Sequence, residues 1–288
     1  MAVVLITGCR RPTGFGQLSA ISFAKAGHTV YATMRSAEEG KALVDRAKGQ
    51  ELDIRVLGHD VTSPESNRNV VSRVLEEEGR IDVMVSNAGI GAFGAVETMR
   101  EETLRAVMET NFFGGVDLAR AVLPAMREQG KGRVIFVTSV AGRFGVPSEG
   151  AYSASKFALE GLAEVLSYEV KRFGVDVSIV EPGFCNTGMS AENTSTAEQN
   201  DQSDIYDAFN KFMIEATIQG ELAGEDPQCV ADMILEAATT AEPKLRWQPG
   251  EIGSAIMESW SQSTEEEWHA SIVEGMQLGW WVEGKTTG

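Results

Sequence analysis

The sequence predicts an α/β protein: one doubly wound parallel sheet in a single domain, with a helical lid and an extended C-terminal tail. Three observations carry that prediction. Short runs rich in β-branched apolar residues alternate with longer amphipathic runs through residues 1–187. The short runs are almost continuously apolar, as strands buried on both faces require. Repeated strand–helix order implies parallel neighbours joined by right-handed crossovers.

Ala2–Thr7 reads as the first buried strand, and Phe15–Ala26 as the first helix, stopped by Gly27. Thr29–Thr33 is the second strand, Ala37–Lys48 a helix and Asp53–Leu57 a strand. Pro64–Glu78 is a helix, because proline at a helix start gives up only an N–H that has no partner there. Asp82–Val85 is the fourth strand. Glu101–Arg127 reads as one long helix with a break or kink expected at Pro124. Arg133–Thr138, Ala151–Arg172 and Val175–Val180 continue as strand, helix and strand.

The rhythm then changes. Gly188–Asp204 is polar and small, which suits either a lid over a site or a mobile stretch. Ile205–Gln219 and Pro227–Thr240 read as helices and Lys244–Gln248 as a last strand. Ser263–Leu278 reads as the final helix, with Ser263 and Glu266 spaced as a capping box. Residues 1–250 are therefore expected to form one domain that includes a lid over about 184–222. Residues 251–288 form an acidic, tryptophan-rich extension packed on the same domain. All five tryptophans lie in residues 247–288, where packing or a subunit interface is the expected role rather than substrate contact.

Charge narrows the partners. The 288 residues hold 25 Lys+Arg against 42 Asp+Glu, a net charge of −17. No basic footprint for nucleic acid or an anionic membrane surface exists at that balance. Residues 188–288 concentrate the acidity, with 19 acids against Lys211, Lys244, Arg246 and Lys285. That segment disfavours anionic partners and leaves neutral or cationic ones open. The three cysteines, Cys9, Cys185 and Cys229, are too few and too odd for a disulfide framework. With the three histidines they show no metal-ligand spacing, so no metal is expected. No apolar stretch approaches the roughly 18 residues of a membrane span, and no charged segment precedes the apolar N-terminal run. A cytoplasmic protein is the expectation.

Two places carry chemistry. The first is the turn Thr7-Gly8-Cys9-Arg10-Arg11-Pro12-Thr13-Gly14-Phe15-Gly16, between the first strand and the first helix. Glycines there let the backbone approach a pyrophosphate, and the helix N-terminus adds free N–H groups and a positive dipole end. The second strand ends Thr33-Met34-Arg35, without the acid that would bind adenosine ribose hydroxyls. Arg35 instead suits a 2′-phosphate, with Arg10 and Arg11 as possible additions. NADP(H) is thus the preferred cofactor and NAD(H) the alternative. Asp60-Val61 and Asn87-Ala88-Gly89 close the third and fourth strands at the edge where ligands of open sheets bind. Asp60 equally fits a turn or cap.

The second place is Ser139, at a strand end, with Tyr152 and Lys156 near the start of the next helix. Four residues apart on a helix, Tyr152 and Lys156 share a face. A cation there favours the phenolate and makes Tyr152 a usable general acid near neutral pH. Ser139 can hold a carbonyl oxygen.

These motifs resemble the short-chain dehydrogenase/reductases. The resemblance rests on Thr7-Gly8 with Gly14-Phe15-Gly16, Asn87-Ala88-Gly89, Asn111, Ser139, Tyr152-Ser153-Ala154-Ser155-Lys156, and Pro182-Gly183-Phe184-Cys185-Asn186-Thr187. It runs from about Val3 to Thr187 and more loosely to about residue 250. It implies a Rossmann fold and hydride transfer between nicotinamide and substrate. Tyr152 is the implied acid/base, Lys156 the group that lowers its pKa and holds the nicotinamide ribose, and Ser139 the carbonyl-orienting group. Asn111 would anchor a relay water, and Pro182, Gly183 and Thr187 would meet the nicotinamide end. The family assembles as homodimers or homotetramers through helices matching Glu101–Arg127 and Ala151–Arg172. One departure stands out. Five residues, Cys9 to Thr13, separate the first two glycines where the family has three. Thr13 takes the place of the hydroxyl residue before Gly14, and the Arg10-Arg11 insertion either reaches the adenosine phosphate or bulges into solvent.

The second strand and residues 152–183 look most like the hydroxysteroid and retinol dehydrogenase branch. That implies a carbonyl or alcohol substrate that is bulky, neutral and apolar. Phe144, Val146, Phe184, Cys185 and Met189 are candidate pocket walls, with Cys185 expected as a small buried filler. Two rivals stand beside this reading. A 3-oxoacyl-carrier-protein reductase fits poorly, because its carrier is acidic. A non-catalytic NADP(H)-binding regulator would not require Ser139, Tyr152, Lys156 and Asn111 together.

Overall fold

The apolar runs fold as seven strands: β1 Val3–Ile6, β2 Thr29–Met34, β3 Ile54–Gly58, β4 Val83–Ser86, β5 Gly132–Val137, β6 Val175–Val180 and β7 Arg246–Trp247. The computed structural model describes residues 1–194 and 204–284. The strands form one parallel sheet in the order β3-β2-β1-β4-β5-β6-β7. After β3 the chain crosses back to the other side of β1, so strand order reverses between β1 and β4. The crevice at the strand C-termini opens at that reversal.

Helices cover both faces. α1 (Phe15–Lys25), α2 (Lys41–Gly49) and, later in the chain, Gln228–Thr239 lie on one face. There Ile21, Phe23, Val230 and Ile234 pack on Val4, Ile6 and Val30. α3 (Pro64–Glu78), α4 (Glu101–Met108), α5 (Gly114–Gln129) and α6 (Gly150–Val170) follow in the chain. From α3, α5 and α6, Val74, Leu118, Val122 and Leu159 pack on Leu5, Met84 and Phe136 across the other face. Successive residues of β1 thus feed opposite cores, as a pleated strand dictates.

The expected break at Pro124 is absent: α5 runs through it to Gln129 and ends at Gly130, where φ is +68°. The irregularity lies earlier in the chain, where Glu109–Phe113 forms a π turn between α4 and α5. Such an inserted turn often marks a functional position, and Asn111 is at its centre.

The remaining helices are α7 (Met189–Thr194), α8 (Asp207–Leu222), α9 (Gln228–Thr239), α10 (Glu251–Gln262), α11 (Glu265–Gly275) and α12 (Gly279–Val282). The middle of the expected lid, residues 195–203, lies outside the described residues. α10 has no counterpart among the sequence expectations, although Ile252, Ile256 and Trp260 recur at helical spacing. The capping box sits one residue later than expected, on Thr264 and Glu267. Ser263 is instead the C-cap of α10, its hydroxyl donating to the Ser259 carbonyl at 2.8 Å. No described helix is long and apolar enough to cross a membrane.

Candidate active site

At the end of β1 the backbone turns sharply. Gly8 has φ +73°, and a Cβ there would lie 2.8 Å from Ala88 Cα. A Cβ on Gly16 would lie 2.6 Å from Asn87 Nδ2 and 2.7 Å from the Gly8 carbonyl oxygen. Only glycine fits either position. Gly14 is the N-cap of α1 and brings no side-chain cap, so the first-turn N–H groups depend on other partners. The turn is clamped from β4. Asn87 Nδ2 donates to the Thr7 carbonyl at 2.8 Å, and Thr7 Oγ1 accepts from the N–H groups of Asn87 (3.0 Å) and Ala88 (2.9 Å). The Asn87 amide therefore shapes the phosphate turn from behind.

A cleft of about 400 Å³ extends from this turn along the sheet edge. Gly8, Gly14 and Phe15 line one end, with Arg35, Asp60 and Val61 beyond β2 and β3. Ala88, Gly89 and Lys156 line the other end. Arg35 is exposed. Asp60 caps its own loop, accepting from Thr62 N (3.0 Å) and Thr62 Oγ1 (2.8 Å), and those bonds hold its carboxyl below the usual range. The glycine cradle, the bare helix N-terminus and the arginines fit a dinucleotide's phosphates and adenosine.

The inserted arginines take a third placement beside the two expected. Both guanidinium groups meet Glu192 on α7: Arg10 Nη2 lies 2.6 Å from Oε1, and Arg11 pairs with Oε2. Thr13 Oγ1 donates to the Thr187 carbonyl at 2.8 Å. The lengthened turn is thus tied to the segment after β6.

Ser139 follows β5, and Tyr152 and Lys156 lie one turn apart on α6. Ser139 Oγ accepts from Ala141 N at 3.1 Å. Lys156 Nζ donates to the Val137 carbonyl at 2.9 Å and lies 5.5 Å from the Tyr152 ring centre. Burial pushes the Lys156 ammonium down to about 8. The Tyr152 phenol moves opposite to the expected direction. Burial raises its pKa, the Glu149 charge adds to the rise, and a hydrogen bond with Ser139 opposes it. Desolvation of the phenolate outweighs any attraction to Lys156, whose own charge is weakened by the same burial.

Asn111 is buried beside Lys156. Its Nδ2 donates to the Ile90 carbonyl (2.8 Å) and to Ser155 Oγ (2.9 Å), and its Oδ1 accepts from Ile90 N (2.8 Å). Both amide hydrogens are spent on holding the loop after β4 against α6. A Cβ on Gly89 would lie 3.4 Å from Asn111 Oδ1 and 3.6 Å from Lys156 Nζ, so this corner also demands glycine-sized bulk.

A second cavity, about 290 Å³, adjoins the cleft, with Tyr152 in the walls of both. Phe144, Val146, Phe184, Cys185 and Met189 line it, as does Ser139. Burial pushes the Cys185 thiol up to about 12, which makes it an inert filler at neutral pH. Pro182 and Gly183 line this cavity and not the cleft, whereas Thr187 lines both. Gly183 packs closely on α10: a Cβ there would lie 2.9 Å from Gly253 Cα.

Several wall residues have no sequence motif to reveal them. Ile256, Trp268, Ile272 and Met276 come from α10, α11 and the residue after α11. Trp268 meets Phe144 edge to face at 4.7 Å. Polar wall comes from Glu149, Thr217 and Glu221. Glu221 is nearly buried, which opposes its charge. Yet it accepts from Thr187 Oγ1 (2.6 Å), Met189 N (2.8 Å) and Ser190 N (2.8 Å), and these bonds hold its pKa below the ordinary value. Behind the wall, Glu160 accepts from Thr138 Oγ1 at 2.6 Å and Arg246 at 3.2 Å, while Glu181 accepts from Arg143 at 3.0 Å. This network ties α6 to the ends of β5, β6 and β7.

Comparison with known proteins agrees with the motifs. A family model described as short chain dehydrogenase matches residues 2–198. The 3-ketodihydrosphingosine reductase of Bacteroides thetaiotaomicron is 37% identical over 251 residues, covering 87% of this chain and 88% of its own. Bos taurus retinol dehydrogenase 8 is 36% identical, with 84% and 80% covered. Homo sapiens 17-beta-hydroxysteroid dehydrogenase type 1 is 34% identical, with 85% and 76% covered. A solved short-chain dehydrogenase from Streptomyces avermitilis superposes with a TM-score of 0.77 at 32% identity, covering 100% of this chain and 98% of that one. A metagenomic short-chain oxidoreductase, solved in complex with NADP, gives a TM-score of 0.69 at 25% identity, covering 87% and 98%. The chain belongs to the short-chain dehydrogenase family, as an oxidoreductase of its hydroxysteroid and retinol dehydrogenase-like branch.

Proposed function

We propose that the protein interconverts a ketone or aldehyde and an alcohol on a bulky apolar molecule, with NADP(H) preferred over NAD(H). The observation that carries this is the place of Tyr152, whose side chain lines both the phosphate-edged cleft and the apolar cavity. When bound, the nicotinamide supplies or accepts the hydride at the substrate carbon. Tyr152 then donates a proton to the carbonyl oxygen, or takes one from the alcohol. Ser139 orients that oxygen from the neighbouring strand end. Lys156 holds the nicotinamide ribose and supplies positive charge beside the phenol. Asn111 fixes the loop and helix that set the Lys156 position. Arg35 meets the 2′-phosphate at the far end of the cleft. The NADP named for a structural neighbour supports a nicotinamide cofactor, and Arg35 in the cleft supports its phosphorylated form. The retinol, hydroxysteroid and ketodihydrosphingosine named for relatives support a large apolar substrate.

Assembly through α4–α5 and α6 is part of the same reading. Leu104, Phe113, Phe157, Val165 and Tyr168 leave apolar surface exposed on those helices, while Leu118, between them in sequence, is buried against the sheet.

The direct test is a panel of apolar ketones and alcohols, each with NADPH and NADH, on the wild type and Tyr152→Phe. Tyr152→Phe is expected to lower kcat by about 10²–10⁴-fold, the worth of a general acid, while NADPH still quenches tryptophan fluorescence on binding. A hundredfold preference for NADH would sink the role of Arg35. Full activity in Tyr152→Phe would sink the mechanism.

A further inference from the structure

The apolar cavity carries one chemical feature that an apolar substrate leaves unused. Its wall holds two carboxyl groups, Glu149 and Glu221, and no lysine, arginine or histidine among the described residues. Glu221 is satisfied by hydroxyl and backbone donors from Thr187, Met189 and Ser190. Glu149 has no ion pair and no side-chain hydrogen bond of ordinary geometry among the described residues. Its polar neighbour is Thr217, whose hydroxyl favours the charged form of Glu149. Thr217 is 6% exposed, lines the cavity, and its Oγ1 completes no hydrogen bond of its own. A buried hydroxyl left without a partner costs about 1–3 kcal/mol unless something else meets it. An unpaired carboxylate in an apolar pocket likewise calls for a counter-charge.

Glu149 is also fixed relative to the reacting centre. It is the N-cap of α6, three residues before Tyr152. Both residues line the one cavity, and the Glu149 charge lies close enough to raise the Tyr152 phenol. A group held by Glu149 therefore sits close to the carbon whose oxygen Tyr152 serves. Burial and the nearby Glu221 charge raise the Glu149 carboxyl to about 7, which favours its neutral form. A cation there restores the charged form.

We infer that Glu149 and Thr217 form a recognition site for a protonated amine on the substrate, one or two carbons from the reacting carbonyl or alcohol carbon. The substrate class becomes an apolar amino ketone or amino alcohol, its ammonium on Glu149 with Thr217 Oγ accepting a second N–H, and its apolar remainder against Phe144, Trp268 and Ile272. The inference rests on the oxidoreductase reading above and refines its substrate. The acidic C-terminal segment favours the same charge, with 19 acids against four bases in residues 188–288.

The experiment uses full-length enzyme with NADPH and three ketones of equal chain length: an α-amino ketone, its N-acetyl derivative, and the ketone lacking the nitrogen. In the wild type, kcat/KM for the amino ketone is expected to exceed both others at least tenfold. Glu149→Gln is expected to bring that ratio towards one, chiefly through KM, and Glu149→Asp to recover part of it. Thr217→Val, which removes only the hydroxyl, is expected to lower the ratio by a smaller factor. A wild-type ratio near one, or a ratio that survives Glu149→Gln, overturns the amine site while leaving the ketone reductase reading intact. Preference for the neutral N-acetyl ketone overturns it in favour of a protonated Glu149 acting as donor. Failure to reduce any of the three ketones overturns the proposed function and this site with it.

Discussion

Tyr152 shows how far a local motif predicts chemistry and where it stops. Its spacing to Lys156 and the strand-end Ser139 identify the trio. The direction of its pKa shift depends on how deeply α6 is buried and on Glu149, neither of which the motif contains. A raised phenol keeps its proton through neutral pH, so in the proposed mechanism the resting enzyme is prepared to donate. Reduction uses the protonated form and oxidation the ionised one. The expected profile is therefore reduction that holds through neutral pH, and oxidation that is weak there and rises with pH. Lys156, pushed down to about 8, loses charge over the alkaline part of that rise and limits it. Profiles of kcat/KM in both directions decide the matter, and an oxidation optimum below pH 7 contradicts the raised phenol.

At the scale of elements, the glycine turn and α7 act on one another. The two extra residues of the turn place Arg10 and Arg11 against Glu192, and Thr13 against the Thr187 carbonyl. Side-chain exposures of 46% for Arg10 and 45% for Glu192 make that pair weak in water, so a cofactor phosphate can compete for the same guanidinium groups. Replacing both arginines by alanine is expected to raise KM for NADPH about tenfold, the loss of a charge-assisted phosphate contact. Glu192→Gln, which frees the arginines, is expected to leave that KM unchanged or lower it. Equal weakening by both variants shows that the arginines serve the α7 contact and not the cofactor. The π turn at Glu109–Phe113 is a second element-scale device. It sets Asn111 into the gap between the loop after β4 and α6, a placement that an unbroken helix through Glu101–Gln129 does not require.

The whole molecule closes the apolar cavity with residues more than 100 positions after Tyr152. Trp268, Ile272 and Met276 reach the cavity because α10 packs on Gly183 and α11 folds back over Phe144. Tryptophans elsewhere in the tail have other work. Trp247 joins the sheet core, and Trp280 and Trp281 pack on Phe212 and Phe209 of α8. Packing thus describes most of the tail, and cavity wall describes Trp268. Trp268→Ala is expected to raise KM for bulky ketones at least about tenfold, since even one missing methylene contact is worth about 1–3 kcal/mol. Small ketones are expected to change less. Equal KM values for bulky substrates in variant and wild type, measured by initial rates, remove Trp268 from the wall.

The sequence by itself determined the sheet and its order of elements, because buried parallel strands and covering helices impose their own periodicities. It also pointed to the glycine turn and to Ser139, Tyr152 and Lys156, which the fold brings together, because the chemistry proposed for them needs fixed residue types at fixed local spacing. Pro124 does not break α5, because the interior-helix penalty of proline is local and the helix around it is long enough to carry it. Glu149, Thr217 and Trp268 were invisible for a different reason. Their meaning lies in which wall they share, and residues 149, 217 and 268 share one only after α6, α8 and α11 have packed. Local spacing encodes chemistry within one element. Substrate shape and charge are encoded across elements, where only the tertiary structure brings the groups together.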